Sequence, residues 1–184
     1  ELLEDSRQQV VKLSRIIEDL MELTRLESGD SAHFKDCSVK DLCRRAWKGL
    51  QGKANEKKIF LDLSGPSGEV CIDPHRLEMA LSNILDNAVK WSPESGRVSV
   101  RISVVNHRVG IRITDQGPGM PEQDRSRIFE RFYQSSSEKG GSGLGLAVVK
   151  RIIEDAGGTV SAGNNESRGA WFLLALPENK EAQK

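Results

Sequence analysis

The chain has 184 residues, 37% of them hydrophobic, and its 27 basic side chains balance its 27 acidic ones. A chain of this size hides roughly 70% of the surface its unfolded form exposes, so it should fold without disulfides or metals, as one domain plus an appended element. Zero net charge excludes a strongly basic nucleic-acid binder and a polybasic membrane-surface protein, so neither nucleic acid nor membrane is an expected partner. No apolar run is long enough to span a bilayer, and no apolar leader opens the chain.

Residues 1–27 contain no Gly or Pro, and apolar side chains recur at helical spacing. Leu3, Val10 and Ile17 form one line, and Leu13 and Leu20 a second, widened by Ile16, Leu23 and Leu26. This a/d seam predicts a helix that needs a partner, either its own domain or a helical bundle. The helix begins at residue 1 without a capping motif, so it is expected to continue from a longer protein. Ser28-Gly29-Asp30-Ser31 supplies the stop.

The next segment reads as one α/β domain over residues 30–177, with 178–184 as a charged, disordered tail. A helical pattern runs from Val39 to Lys53, a strand over 59–63, and a second short strand over 70–73. Asp73 and Pro74 have the chemistry of a helix cap and first helical residue, and that helix stops near Trp91-Ser92-Pro93. Residues 98–104 and 109–115 alternate at period two about an Asn106-His107 corner, a hairpin. A glycine-rich stretch then opens a helix over 144–155, Gly157-Gly158 ends it, and strands follow at 159–162 and 170–176. The order predicts an α/β sandwich: a mixed, largely antiparallel sheet with helices on one face.

Cys37, Cys43 and Cys71 cannot all pair internally and lie in no CxxC, so they are expected as buried or half-buried thiols in a reducing, cytoplasmic setting.

Four short stretches carry chemistry. In Asn83-Ile84-Leu85-Asp86-Asn87-Ala88-Val89-Lys90, the amides of Asn83 and Asn87 share a helix face, with Lys90 a turn beyond. Two amides and an ammonium in one stripe can hold a metal ion and an anion, although an isolated NxxxN is more often solvated surface. In Asp115-Gln116-Gly117-Pro118-Gly119, a carboxylate at a strand end can accept from an exocyclic amine, and the glycines let backbone approach a planar ligand. Phe129-Glu130-Arg131-Phe132 can anchor a mobile segment through its two rings. Gly141-Ser142-Gly143-Leu144-Gly145 opens a helix, where free N–H groups attract phosphate. It is not a Walker A, and no HRD, DFG or APE sequence accompanies it.

In the order NxxxNAxK, DxGxG, FxRF and GxGLG, these stretches closely resemble the catalytic and ATP-binding domain of bacterial sensor histidine kinases, in the superfamily that includes gyrase, Hsp90 and MutL. The resemblance implies that Asn87 binds Mg²⁺ beside Asn83, that Lys90 meets the phosphates, and that Asp115 accepts from the adenine amine. It further implies that Gly117 and Gly119 shape the base pocket, that Phe129 and Phe132 pin one end of an ATP lid, and that Gly141, Gly143, Leu144 and Gly145 surround the phosphates. Arg131 becomes a γ-phosphate partner. The leading helix, residues 1–29, resembles the second helix of the family's dimerisation and phosphoacceptor hairpin.

The family's acceptor histidine, followed by an acidic residue, has no counterpart here, since His33, His75 and His107 all lie in other contexts. The implied activity is transfer of the ATP γ-phosphoryl group to a histidine on a helix outside this chain, for relay to a response-regulator aspartate. The implied partners are that regulator, the parent's own acceptor helix and a second copy of the parent through the hairpin. The resemblance is also compatible with a parent anchored in the bacterial inner membrane. A degenerate regulatory domain is the alternative. An ATPase switch of the gyrase type is disfavoured by Asn83, because an amide cannot activate water as the Glu of hydrolysing relatives does.

Overall fold

The computed structural model describes residues 10, 13–14, 17–21, 23–26, 33–135 and 142–179. The described residues between 10 and 26 are helical and are termed α1. There follow β1 (Lys35–Ser38), α2 (Val39–Glu56), β2 (Phe60–Ser64), β3 (Glu69–Ile72), α3 (Pro74–Trp91), β4 (Arg97–Val105) and β5 (Arg108–Thr114). A 3-10 turn at Glu122–Asp124 precedes α4 (Gly145–Asp155), β6 (Thr159–Asn164) and β7 (Ala170–Pro177).

The main sheet has the order β2-β4-β5-β7-β6; β2 runs parallel to β4 and every other pair is antiparallel. Period-two alternation decides its two faces. Val98, Val100 and Ile102 of β4, and Val109, Ile111 and Ile113 of β5, are buried, while Arg101 and Arg112 between them are exposed. The buried face carries the helices, with α3 packed between α2 and α4. This is the α/β sandwich expected from the order of elements. Asn106 and His107 both take positive φ, 50° and 57°, which a two-residue hairpin of this twist requires.

One strand was not legible. Lys35-Asp36-Cys37-Ser38 has no apolar alternation, yet it pairs antiparallel with β3, Lys35 opposite Ile72 and Ser38 opposite Glu69. Its partner dictates it, a non-local cause that no local pattern reports. The tail also departs from expectation at its start. Glu178 N–H donates to the His107 carbonyl at 3.0 Å and Asn179 N–H to the Glu69 carbonyl at 2.9 Å, so the chain stays tied to the sheet as far as residue 179. The thiols differ too. Cys43 is buried and Cys37 half-buried, and burial pushes them up to about 12 and about 11, but Cys71 is exposed.

The helical seam of α1 divides. Leu23 and Leu26 are buried in the domain core, whereas Val10, Leu13, Ile17, Leu20 and Met21 are exposed. Leu3 and Ile16 lie outside the described residues. Two polar contacts fasten the packed end: Ser142 Oγ donates to the buried Asp19 carboxylate at 3.0 Å, and Arg151 reaches the Leu26 carbonyl at 3.4 Å. The domain itself is thus the partner of one part of the seam, and the rest of the seam is exposed among the described residues.

Candidate active site

α3 supplies one wall of the site, and its position is fixed at both ends. Asp73 is the N-cap, accepting from the N–H groups of His75 and Arg76. Its other oxygen accepts from His33 N–H at 3.1 Å. Burial works against the Asp73 charge, yet the N–H groups of Arg76, His33 and His75 hold its carboxyl below the ordinary range. At the C-terminus, Lys57 Nζ donates to three carbonyls, those of Val89, Lys90 and Ser92, at 3.0, 2.7 and 3.0 Å. An ammonium at this end also opposes the helix dipole favourably.

A cavity of about 500 Å³ opens beside α3. Its apolar lining comes from Trp91, Pro118, Met120, Ile128, Leu146 and Phe172. The polar groups converging on it are those of Asn87, Asp115, Asp124, Tyr133 and Ser135. A mostly apolar cleft of this size with a few placed polar groups is the usual form of a small-molecule site.

Asp115 follows β5 and is only 5% exposed. Its Oδ1 accepts from Gly117 N–H at 2.8 Å and from Ala170 N–H at 3.0 Å. Among the described residues Oδ2 accepts from no protein donor. Burial pushes the carboxyl above the ordinary range, opposed by those two N–H groups. A half-satisfied, desolvated carboxylate on a cavity wall is an acceptor waiting for a donor. Gly117 is required at its position: a Cβ there would stand 2.8 Å from the Trp91 carbonyl oxygen.

The predicted residues do not all converge. Asn87, Asp115 and Gly119 line the cavity, and Gly117 is bonded to Asp115. Leu144, fully buried, and Gly145 bring the start of α4 to the same region, where the adjacent Leu146 lines the wall. Leu144 offers no side-chain cap to α4, its own N–H donates to Ser142 Oγ at 3.1 Å, and among the described residues no side chain accepts from the next N–H groups. Asn83 is buried rather than solvated; its amide contacts the Gly145 carbonyl at 3.4 Å and so joins α3 to α4. Lys90 is exposed, its ammonium 5.0 Å over the Trp91 ring, outside the cavity lining. Gly143, at φ 70°, lies against the backbone of Phe132 and Tyr133. Gly141 lies outside the described residues.

The aromatic pin needs correction. Phe129 packs against the core, but Phe132 is 65% exposed, and its ring neither joins the core nor lines the cavity. Its φ of 61° turns the chain so that Tyr133, the next residue, faces the cavity instead. Tyr133 Oη donates to Asp124 at 2.7 Å, and Ser135 Oγ donates to the second oxygen of the same carboxylate. The hydroxyls of Ser135 and Tyr133 hold Asp124 below the ordinary carboxylate range. Arg131 is exposed and does not line the cavity. Sequence reasoning passed over Asp124, Tyr133 and Ser135, because a lone acid, ring and hydroxyl in a loop carry no spacing signal.

Among the described residues, no three His, Cys, Asp or Glu side chains cluster as a metal centre. Magnesium does not need such a cluster, since it takes one or two protein oxygens and completes its shell with water and phosphate. The half-buried Asn87 amide on the cavity wall fits that role.

Residues 72–180 match the family described as histidine kinase-, DNA gyrase B-, and HSP90-like ATPase. The signal transduction histidine-protein kinase/phosphatase MprB of Mycolicibacterium smegmatis is 37% identical over 175 residues, covering 90% of this chain and 35% of the relative. The chain thus spans about a third of the curated relatives it matches. A solved structure of the mycobacterial sensor histidine kinase MprB aligns with TM-score 0.73 at 32% identity, over 79% of this chain and 98% of that one. Full-length ShkA in complex with AMPPNP aligns with TM-score 0.81 at 30% identity, over 96% of this chain and 37% of that one. With the sheet order, the cavity and the strand-end carboxylate in place, the chain belongs to the histidine kinase-, DNA gyrase B- and HSP90-like ATPase family, as a histidine-kinase catalytic domain.

Proposed function

We propose that this chain holds ATP in the cavity beside α3 and delivers its γ-phosphoryl group to a histidine carried by a helix outside residues 1–184, for relay to an aspartate of a response regulator. The observation that carries the reading is the Asp115 carboxylate, buried on the cavity wall with two backbone donors on Oδ1 and none on Oδ2 among the described residues. An adenine amino group is the donor it suits. Trp91, Met120 and Phe172 supply apolar surface for a planar base. The AMPPNP held by the similar ShkA chain supports a nucleotide in this fold.

Asn87 would hold Mg²⁺ by its amide oxygen, and the ion, when bound, neutralises charge on the phosphates. The uncapped N-terminus of α4, with Gly143 and Gly145, would receive the phosphates by backbone N–H groups. Lys90 and Arg131, both exposed, would close on the phosphates from outside the cavity lining. Phosphoryl transfer relies mainly on positioning and charge stabilisation, which these groups provide. Hydrolysis of the gyrase type is not favoured, because the residue facing Gly145 is the amide Asn83.

Residues 1–29 would be one arm of a dimerisation and phosphoacceptor hairpin, residues 30–177 the catalytic domain and 178–184 its charged tail. Among the described residues no helix is long and apolar enough to cross a membrane. On this reading the chain lies in the cytoplasm, as part of a dimeric parent anchored in the inner membrane.

Calorimetric titration with Mg-ATP tests the base contact. Asp115→Ala removes a charge-assisted hydrogen bond worth about 1.5–3 kcal/mol, so affinity should fall by at least about tenfold. Unchanged affinity would remove Asp115 from this role.

A further inference from the structure

The loop that carries Asp115, Gly117 and Gly119 is not held by its own strand alone. Its fastenings come from the β6–β7 turn, about fifty residues further along the chain. Ala170 N–H donates to Asp115 Oδ1, and Arg168 Nε reaches the Gly117 carbonyl at 3.3 Å. The shortest of these contacts are made by Asn164, the last residue of β6. Its Oδ1 accepts from Met120 N–H at 2.8 Å, and its Nδ2 donates to the Met120 carbonyl at 2.7 Å. One side-chain amide thus pairs with both polar groups of a single backbone residue, as a neighbouring strand would. The amide also lies close against Gly119, where a Cβ would stand 2.9 Å from Asn164 Oδ1. Asn164 is itself fixed, since its carbonyl accepts from Trp171 Nε1 at 3.1 Å. Gly119 and Met120 line the cavity; Asn164 does not.

We propose that Asn164 is a positioning residue for nucleotide binding: its amide clamps Met120, and through Met120 and Gly119 it sets the loop that aims the Asp115 carboxylate at the base. This rests on the base-pocket reading above. Asn164 lies outside the cavity lining, so its influence passes through the loop and depends on the contact the loop makes.

The dependence can be measured on the full chain by Mg-ATP calorimetry of Asn164→Ala, Asp115→Ala and the double variant, with apo melting curves alongside. Asn164→Ala should weaken binding about tenfold while the protein still melts cooperatively. Asn164→Asp keeps the acceptor for Met120 N–H but turns a charged oxygen toward the Met120 carbonyl, so it should weaken binding at least as much, about tenfold or more. In the Asp115→Ala background the Asn164 substitution should cost little more, because the contact it serves is gone. Wild-type affinity in Asn164→Ala and Asn164→Asp beside a weakened Asp115→Ala overturns the clamp alone. Fully additive losses overturn its route through Asp115. Wild-type affinity in Asp115→Ala overturns the base-pocket reading and the clamp with it.

Discussion

Asp115 answers two opposed demands. The proposed base contact requires a charged acceptor on the cavity wall, and folding disfavours that charge, because burial raises its carboxyl above the ordinary range. A raised folded value gives a contribution to stability that is complete below the ordinary Asp range and is lost as the pH rises through the raised value. At neutral pH the ionised side chain is therefore a net cost to the apo fold. Asp115→Asn removes the charge and keeps an oxygen for Gly117 and Ala170 N–H. It should melt higher than wild type at neutral pH while binding ATP more weakly, and the gain should shrink as the pH is lowered toward the ordinary Asp range. Thermal unfolding across a pH series checks this; a constant or reversed difference would count against it. In its proposed role, Asn87 separates binding from chemistry. Asn87→Ala should abolish phosphoryl transfer and leave much of the ATP affinity, and transfer at the wild-type rate in magnesium would refute the assignment. That Asp115 and Asn87 share a cavity wall is legible in the sequence, because a strand end and a helix face give residue type and direction together. Phe132 was misread, since its ring follows a φ of 61° that the sequence does not announce.

At the scale of elements, α3 is the part most completely written in the sequence. Asp73, Pro74 and Ser92-Pro93 mark its ends, and the structure has it at Pro74–Trp91. Asp73→Ala removes acceptors for three N–H groups and should cost about 0.5–2 kcal/mol in chemical denaturation. Because the Asp73 carboxyl is held below the ordinary range, that contribution is present above the ordinary Asp value and disappears as the pH falls through the lowered one. The far end of α3 depends on the turn that closes α2. Lys57 can reach three α3 carbonyls because the chain reverses at Lys58, which takes φ 54°. A lysine in the left-handed region is strained, so Lys58→Gly should stabilise the fold by about 1 kcal/mol without moving Lys57. Denaturant melts of the two proteins measure it. β1 is the opposite case, an element with no sequence signature that exists because β3 offers it an edge.

Over the whole molecule, the packed end of α1 joins the domain core through Leu23 and Leu26, while Val10, Leu13, Ile17, Leu20 and Met21 stay exposed. The seam spacing announced a buried stripe, but only the folded domain decides how much of it the domain itself can cover. The three histidines likewise sit away from any acceptor context. His33 and His75 give their backbone N–H groups to Asp73, and His107 occupies the hairpin turn, 3.5 Å from Glu178. On the proposed reading the chain supplies the nucleotide half of a transfer reaction. Incubation with labelled Mg-ATP, alone and with a separately supplied histidine-bearing acceptor hairpin, tests that directly. No acid-labile label should appear on the chain itself, and the supplied hairpin should be labelled, at a rate far below that of a kinase whose halves are joined at high effective concentration. Label on His33, His75 or His107, or an acceptor hairpin that stays unlabelled at high protein concentration, would overturn this division of the reaction.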